Sequence, residues 1–122
     1  MAGERILIVD DNQVNLKLMR VLLAGEGYEV RTATDAEEAL QVLEKFSPRL
    51  ILMDIQLPGL DGYEVTRRIK SKFDLGHIPI IAVTSYALSG DDQKAYAAGC
   101  DGYVTKPFSP RQLLAKIREF LP

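Results

Sequence analysis

LILMDIQLPGLDGYE, residues 50–64, places four large apolar residues directly before an aspartate and a proline- and glycine-bearing stretch after it. An unbroken apolar run of this length, bounded by turn residues, reads as a strand covered on both faces, as in a parallel sheet. Asp54 then stands at the exit of a buried strand. An unpaired carboxylate there costs several kcal/mol, comparable with the whole stability of a small domain. Either Asp54 caps the strand end, or other residues compensate its charge.

Two more runs share this character, Ile6-Leu7-Ile8-Val9 and Ile80-Ile81-Ala82-Val83. Tyr28-Glu29-Val30-Arg31 alternates instead, and Tyr103-Val104-Thr105 is short and mixed. The spacing predicts strands over Arg5–Val9, Tyr28–Ala33, Leu50–Met53, Pro79–Val83 and Gly102–Thr105, with the second and fifth at the sheet's edges. Helices are predicted between them. The first spans Val14–Ala24, with Val14, Leu18, Val21 and Leu22 facing the core and Gly25 and Gly27 ending it. Thr34 and Glu37 form a capping box ahead of the buried stripe Ala39, Leu40, Leu43 and Phe46. Asp61 and Glu64 cap a third helix whose apolar face is Val65, Ile69 and Phe73. The fourth, from about Ser89 to Ala98, has the weakest apolar stripe and the least firm packing expected. Ser109-Pro110-Arg111-Gln112 opens the fifth with a cap, a proline in the first turn and a glutamine completing the box. Leu113, Leu114, Ile117, Phe120 and Leu121 supply its core face.

Strands alternating with helices imply right-handed crossovers and a parallel sheet. Three interior and two edge strands fit an α/β, doubly wound, flavodoxin-like (βα)5 sandwich in the order 2-1-3-4-5. Residues 1–122 make one domain, the size of a single core. A net charge of −2 gives no basic footprint for nucleic acid, and no apolar run is long enough to cross a membrane. Without a signal peptide and with one cysteine, a cytoplasmic protein without a disulfide is the expectation.

In such a sheet, ligands bind beyond the carboxyl ends of the strands, at the switch point between strands one and three. Asp10-Asp11 follow strand one, Asp54 strand three, Thr84 strand four and Lys106-Pro107 strand five, so all converge on one rim. Three acids there repel by a few kcal/mol per pair, more than one ammonium offsets. A divalent cation is the natural further compensation. Hard oxygen ligands favour magnesium, with manganese as a substitute, over zinc. Asp11 and Asp54 are the expected direct ligands, with Asp10 holding a coordinated water and the backbone carbonyl of Gln56 completing the set. A carboxylate beside a hydrated cation and a lysine is a phosphoryl acceptor. Asp54 is the nucleophile, Lys106 neutralises phosphoryl oxygens, and the Thr84 hydroxyl donates to one of them.

The stretches ILIVDDN, LILMDIQLPGLDGYE, IIAVTSYA and DGYVTKPF together resemble the receiver domain of two-component response regulators. The resemblance implies that Asp54 takes its phosphoryl group from a phosphohistidine on a sensor kinase or phosphotransfer protein. It implies acidic-pocket roles for Asp10 and Asp11, a switch hydroxyl at Thr84, a switch aromatic at Tyr103, the phosphate-binding Lys106 and a cis Lys106–Pro107 bond. Gln56 and Tyr86 occupy positions that vary among receivers and flank the phosphoryl group. Such a chain is a switch that catalyses only its own phosphorylation and dephosphorylation, and is not an enzyme with a separate substrate. It signals to a downstream protein through the face of helix four, strand five and helix five, as a monomer or a phosphorylation-dependent dimer. A start at Met1 favours a complete single-domain regulator over a receiver excised from a larger regulator or hybrid kinase.

Three rivals are weaker. A flavin or nucleotide domain needs a glycine- or hydroxyl-rich loop where this chain has Asp10-Asp11-Asn12-Gln13. An aspartyl phosphatase resembles the pattern but places a second aspartate where this chain has Gln56. A phosphate-independent docking module is marked by loss of a pocket acid or the lysine, and all are present. Elsewhere, Cys100 reads as a small, partly buried residue, His77 as solvated, Tyr63 and Tyr96 as packing or surface residues, and Arg67 to Lys72 as an exposed helical face. Gly59 and Gly62 read as freedom for the loop after strand three.

Overall fold

The three unbroken apolar runs occupy the middle of the sheet. In the computed structural model, which describes residues 3–55, 62–72, 75–84, 91–105 and 109–121, β1 (Arg5–Val9), β3 (Leu50–Asp54) and β4 (Ile80–Thr84) lie side by side. β2 (Glu29–Ala33) and β5 (Gly102–Thr105) flank them in the order 2-1-3-4-5, all parallel. β3 and β4 are buried at every position, whereas β2 and β5 alternate. Continuous and alternating apolarity therefore separated interior from edge strands, because only interior strands carry helices on both faces.

The helices divide between those faces. α1 (Gln13–Gly25) and α5 (Pro110–Phe120) bury Leu16, Met19, Leu23, Leu113 and Ile117 against Ile6, Ile8, Leu52, Ile81 and Val83. α2 (Ala36–Lys45), α3 (Gly62–Lys70) and α4 (Asp91–Ala97) bury Ala39, Leu43, Val65, Ile69 and Ala95 against Leu7, Val9, Met53 and Ala82. α5 starts as expected, with the Ser109 side chain accepting from the Gln112 amide and the Gln112 side chain accepting from the Ser109 amide.

Two expectations are corrected. α1 buries Leu16, Met19 and Leu23, with Leu22 packed at that cluster's margin. Val14, Leu18 and Val21 face outward, 67%, 64% and 63% exposed. The helix carries two apolar rows, 14/18/21 and 16/19/23, and periodicity alone does not choose between them. The start of α2 is one residue later than the Thr34–Glu37 reading. Asp35 is the cap, accepting from the Glu38 amide at 2.8 Å, while the Glu38 carboxylate accepts from the Thr34 amide and hydroxyl. Asp61, Phe73 and residues 89–90 lie outside the described residues.

At the end of the sheet opposite the acids, Asp101 fastens three segments. Its Oδ2 accepts from the Lys70 ammonium at 2.7 Å and from the Ile80 amide at 2.9 Å, at the first residue of β4. Lys70 also donates to the Ile78 carbonyl at 2.7 Å. Arg67, Arg68 and Lys72 form the expected exposed face, but Lys70 is turned in. Asp101→Ala removes the acceptor of the Ile80 amide at the start of β4 and the carboxylate partner of the Lys70 ammonium. Because Asp101 is partly solvated, the expected loss is about 1–2 kcal/mol, read as a lower urea midpoint with phosphoryl acceptance intact. An unchanged midpoint would show the clip to be ornamental.

Candidate functional site

The acids meet where strands one and three end. Asp10 follows β1, and its amide donates to the Ala33 carbonyl at 3.0 Å, which carries the β1–β2 ladder to its top. Asp54 is the last residue of β3, one position later than the predicted strand end. β1 and β3 are adjacent, with Val9 opposite Met53, so Asp10 and Asp54 leave the sheet side by side. Carboxylate oxygens of Asp10, Asp11 and Asp54 all lie within 4.8 Å of one another. Asp10 and Asp54 are buried, 1% and 3% exposed, and Asp11 opens to solvent.

Helix capping does not account for Asp10 and Asp11. The cap of α1 is Asn12, whose side chain accepts from the Asn15 amide at 3.0 Å, while the Asn12 amide donates to Asp10 Oδ1 at 2.9 Å. Two buried carboxylates within 4.8 Å repel by roughly 3 kcal/mol at an effective dielectric of about 20. An all-oxygen donor set, two of its members buried and one open to water, suits a cation that keeps much of its hydration.

Thr84 ends β4, buried, and Tyr103 lies half-buried on β5. Tyr103 is registered with Ala82 and Thr84 with Thr105, so Thr84 and Tyr103 are diagonal neighbours on one sheet face. Tyr103 packs against the cluster that contains Ala82 and Ala95. The structure thus brings Asp10, Asp11 and Asp54 together and sets Thr84 at the end of the adjoining strand. Lys106, Pro107, Gln56 and Tyr86 lie outside the described residues.

One contributor was misjudged. Gly62 is not used for backbone freedom; among the described residues positive φ occurs only at Gly3, Gly27 and Gly99. It is used for closeness. Its amide donates to the Ile55 carbonyl at 2.7 Å, and a Cβ there would overlap the Asp54 carbonyl oxygen and lie 2.7 Å from Ile55 Cα. A glycine opening a helix beside an acceptor strand is the sequence signal for such an approach. Cys100 is more deeply buried than expected, next to Thr66, and burial pushes its thiol above the usual range. His77 and Tyr96 are exposed, and Tyr63 is half-buried.

Residues 6–118 match the response regulator receiver domain. The chain belongs to that family. A polar-differentiation response regulator, DivK of Brucella anthropi, is 42% identical over 116 residues, 95% of this chain and 94% of its own length. Among solved structures, the receiver domain of sensor histidine kinase PA1611 from Pseudomonas aeruginosa superposes with a TM-score of 0.89 at 38% identity, covering 98% of each chain. That receiver has a magnesium ion coordinated in its active site cleft. The chemotaxis response regulator CheY4 of Vibrio cholerae matches with a TM-score of 0.92 at 28% identity, over 98% of this chain and 99% of its own. This receiver therefore shares its fold with a magnesium-bearing relative, and it carries an acid trio of its own at the ends of β1 and β3. Among its described residues, no helix is long and apolar enough to cross a membrane.

Proposed function

We propose that this receiver is a phosphoacceptor switch that takes a phosphoryl group onto Asp54 from a phosphohistidine of a sensor kinase or phosphotransfer protein. The observation that carries the reading is the gathering of three carboxylates at one strand-end crevice, with Asp54 itself almost fully buried. A carboxylate oxygen of Asp54 attacks phosphorus in line. The P–N bond to the donor imidazole breaks, the nitrogen keeps the electron pair, and an acyl phosphate forms. Asp10 and Asp11, with Asp54, would hold a magnesium ion, manganese substituting, which supplies charge neutralisation at the phosphoryl oxygens when bound. Lys106 and the Gln56 carbonyl are assigned to the same pocket by sequence.

The register of β4 and β5 supports a route for relaying the signal. The new phosphoryl group brings about −1.5 to −2 charge and three acceptor oxygens to the rim. Thr84 donates its hydroxyl to one of them, and the volume it leaves is taken by its diagonal neighbour Tyr103. The face of α4, β5 and α5 changes shape with that side chain and is read by a downstream protein. The receiver promotes its own phosphorylation and dephosphorylation, and turns over no separate substrate.

The donor side is served by α1. Its outward row, Val14, Leu18 and Val21, begins one turn after the acids, which supports docking of a phosphohistidine-bearing protein across it.

The test is intact mass after incubation with magnesium and a small acyl phosphate. One added phosphoryl group, mapped to Asp54 and lost when the metal is chelated, is the expected result. No adduct, or one on another residue, overturns the reading.

A further inference from the structure

Gly62 is the first residue of α3 and is buried against the strand that carries the acceptor. The three atoms nearest to a side-chain carbon on residue 62 would all be backbone: it would overlap the Asp54 carbonyl oxygen and stand 2.7 Å from Ile55 Cα and 3.0 Å from the Asp54 carbonyl carbon. Atoms of this kind cannot rotate away as a flexible side chain can. Ordinary carbon contacts need about 3.5–4 Å, so one partner must retreat by about 1 Å.

Neither partner has easy room. β3 is held from its other side, where the Ile55 amide donates to the Val83 carbonyl at 3.1 Å and Asp54 is registered with Val83. It lies between β1 and β4 in the interior of the sheet. α3 is seated by Val65 and Ile69, both fully buried, and tied to β3 by the Gly62–Ile55 hydrogen bond at 2.7 Å. The least restrained response is a local shift at the joint of the two elements, whose strand side is the last residue of β3. That residue is Asp54.

We infer that Gly62 is a positioning residue for phosphoryl acceptance: its bare Cα sets the place of Asp54 against Asp10 and Asp11, and so tunes divalent-cation affinity as well as reaction rate. This rests on the phosphoacceptor reading and adds a determinant outside the acid cluster. It acts through the backbone alone, touching neither cation nor phosphoryl group. A carboxylate moved by about 1 Å loses alignment for in-line attack, an effect able to cost about a hundredfold in rate.

Gly62→Ala is compared with the wild type and with Gly25→Ala, where the added carbon meets nothing within 4 Å. Magnesium affinity is read by amide NMR titration, which reports only the folded molecules, and acceptance from a small acyl phosphate is read by intact mass. The expected Gly62→Ala protein keeps the native amide pattern of β1 and α5, binds magnesium at least tenfold more weakly, and accepts phosphoryl at least tenfold more slowly at saturating metal. Gly25→Ala matches the wild type in both. A folded Gly62→Ala protein with wild-type magnesium affinity overturns the inference. So does a variant that does not fold, because residue 62 then governs the fold and not the site. A wild type that neither binds magnesium nor accepts phosphoryl overturns the parent reading, and this inference with it.

Discussion

Asp54→Asn is expected to abolish phosphoryl acceptance and at the same time to make the metal-free protein more stable. The first effect follows from nucleophile chemistry. An amide oxygen carries no full charge, forms no acyl phosphate, and contributes less to holding a dication. The second follows from the distances. Asp54 and Asp10 are both buried, with carboxylate oxygens within 4.8 Å, so removing one charge relieves repulsion that folding otherwise imposes. The full Coulomb term is about 3 kcal/mol at an effective dielectric of about 20, and partial compensation by neighbouring groups reduces it. A gain of about 1–2 kcal/mol, roughly 3–10 °C in Tm, is expected. Added magnesium should raise the wild-type Tm by mass action and leave that of Asp54→Asn nearly unchanged. Calorimetry with and without magnesium, beside intact mass, measures all three. A variant less stable than the wild type would mean that the acid cluster is already balanced without a metal. The two expectations share one cause, the burial of the proposed acceptor carboxylate beside a second one.

Much of this arrangement was legible in the residue string. The interior strands declared themselves through Ile6 to Val9, Leu50 to Met53 and Ile80 to Val83, because a strand buried on both faces has no polar position to spare. Once those strands were parallel and adjacent, the acids at their exits had to converge, so Asp10, Asp11 and Asp54 followed from topology and not from local pattern. The misreadings have a different origin. For α1 both apolar rows satisfy helical periodicity, and only the position of β2 beside β1 decides which is covered. For α2 the choice between Thr34 and Asp35 as cap depends on backbone angles that two adjacent capping residues do not distinguish. Gly62 was credited with the commonest use of glycine, freedom of φ, although its use here is the absence of Cβ against a neighbouring strand. Lys70 looked like one more exposed cation because its partner Asp101 is remote in sequence. Except at the α2 cap, the missing information was a long-range contact.

The outward row of α1 gives the remaining expectation its size. Val14, Leu18 and Val21 are each more than 60% exposed and stand one above another at spacings of four and three. Scattered exposed aliphatics are ordinary, but three in one row beside the acid cluster are the surface on which the proposed donor is expected to dock. The row starts at the second residue of α1, and α1 starts two residues after Asp11. Asp11 is the solvent-open acid of the trio, so the proposed donor imidazole is expected to enter over it, with its carrier lying across this row. An aspartate at position 18 places a charge at the centre of that contact. Loss of a central apolar anchor costs about 2 kcal/mol or more, and burying a charge adds to it. Leu18→Asp is therefore expected to lower kcat/KM for transfer from a phosphohistidine-bearing protein by roughly thirty- to a hundredfold. Its rate with a small acyl phosphate should stay within about twofold of wild type, because that donor needs only the crevice. Stability should move by no more than about 0.5 kcal/mol, as for most solvent-facing substitutions. Equal losses with both donors would place the damage in the site itself. No loss with the protein donor would mean that the donor approaches over another surface.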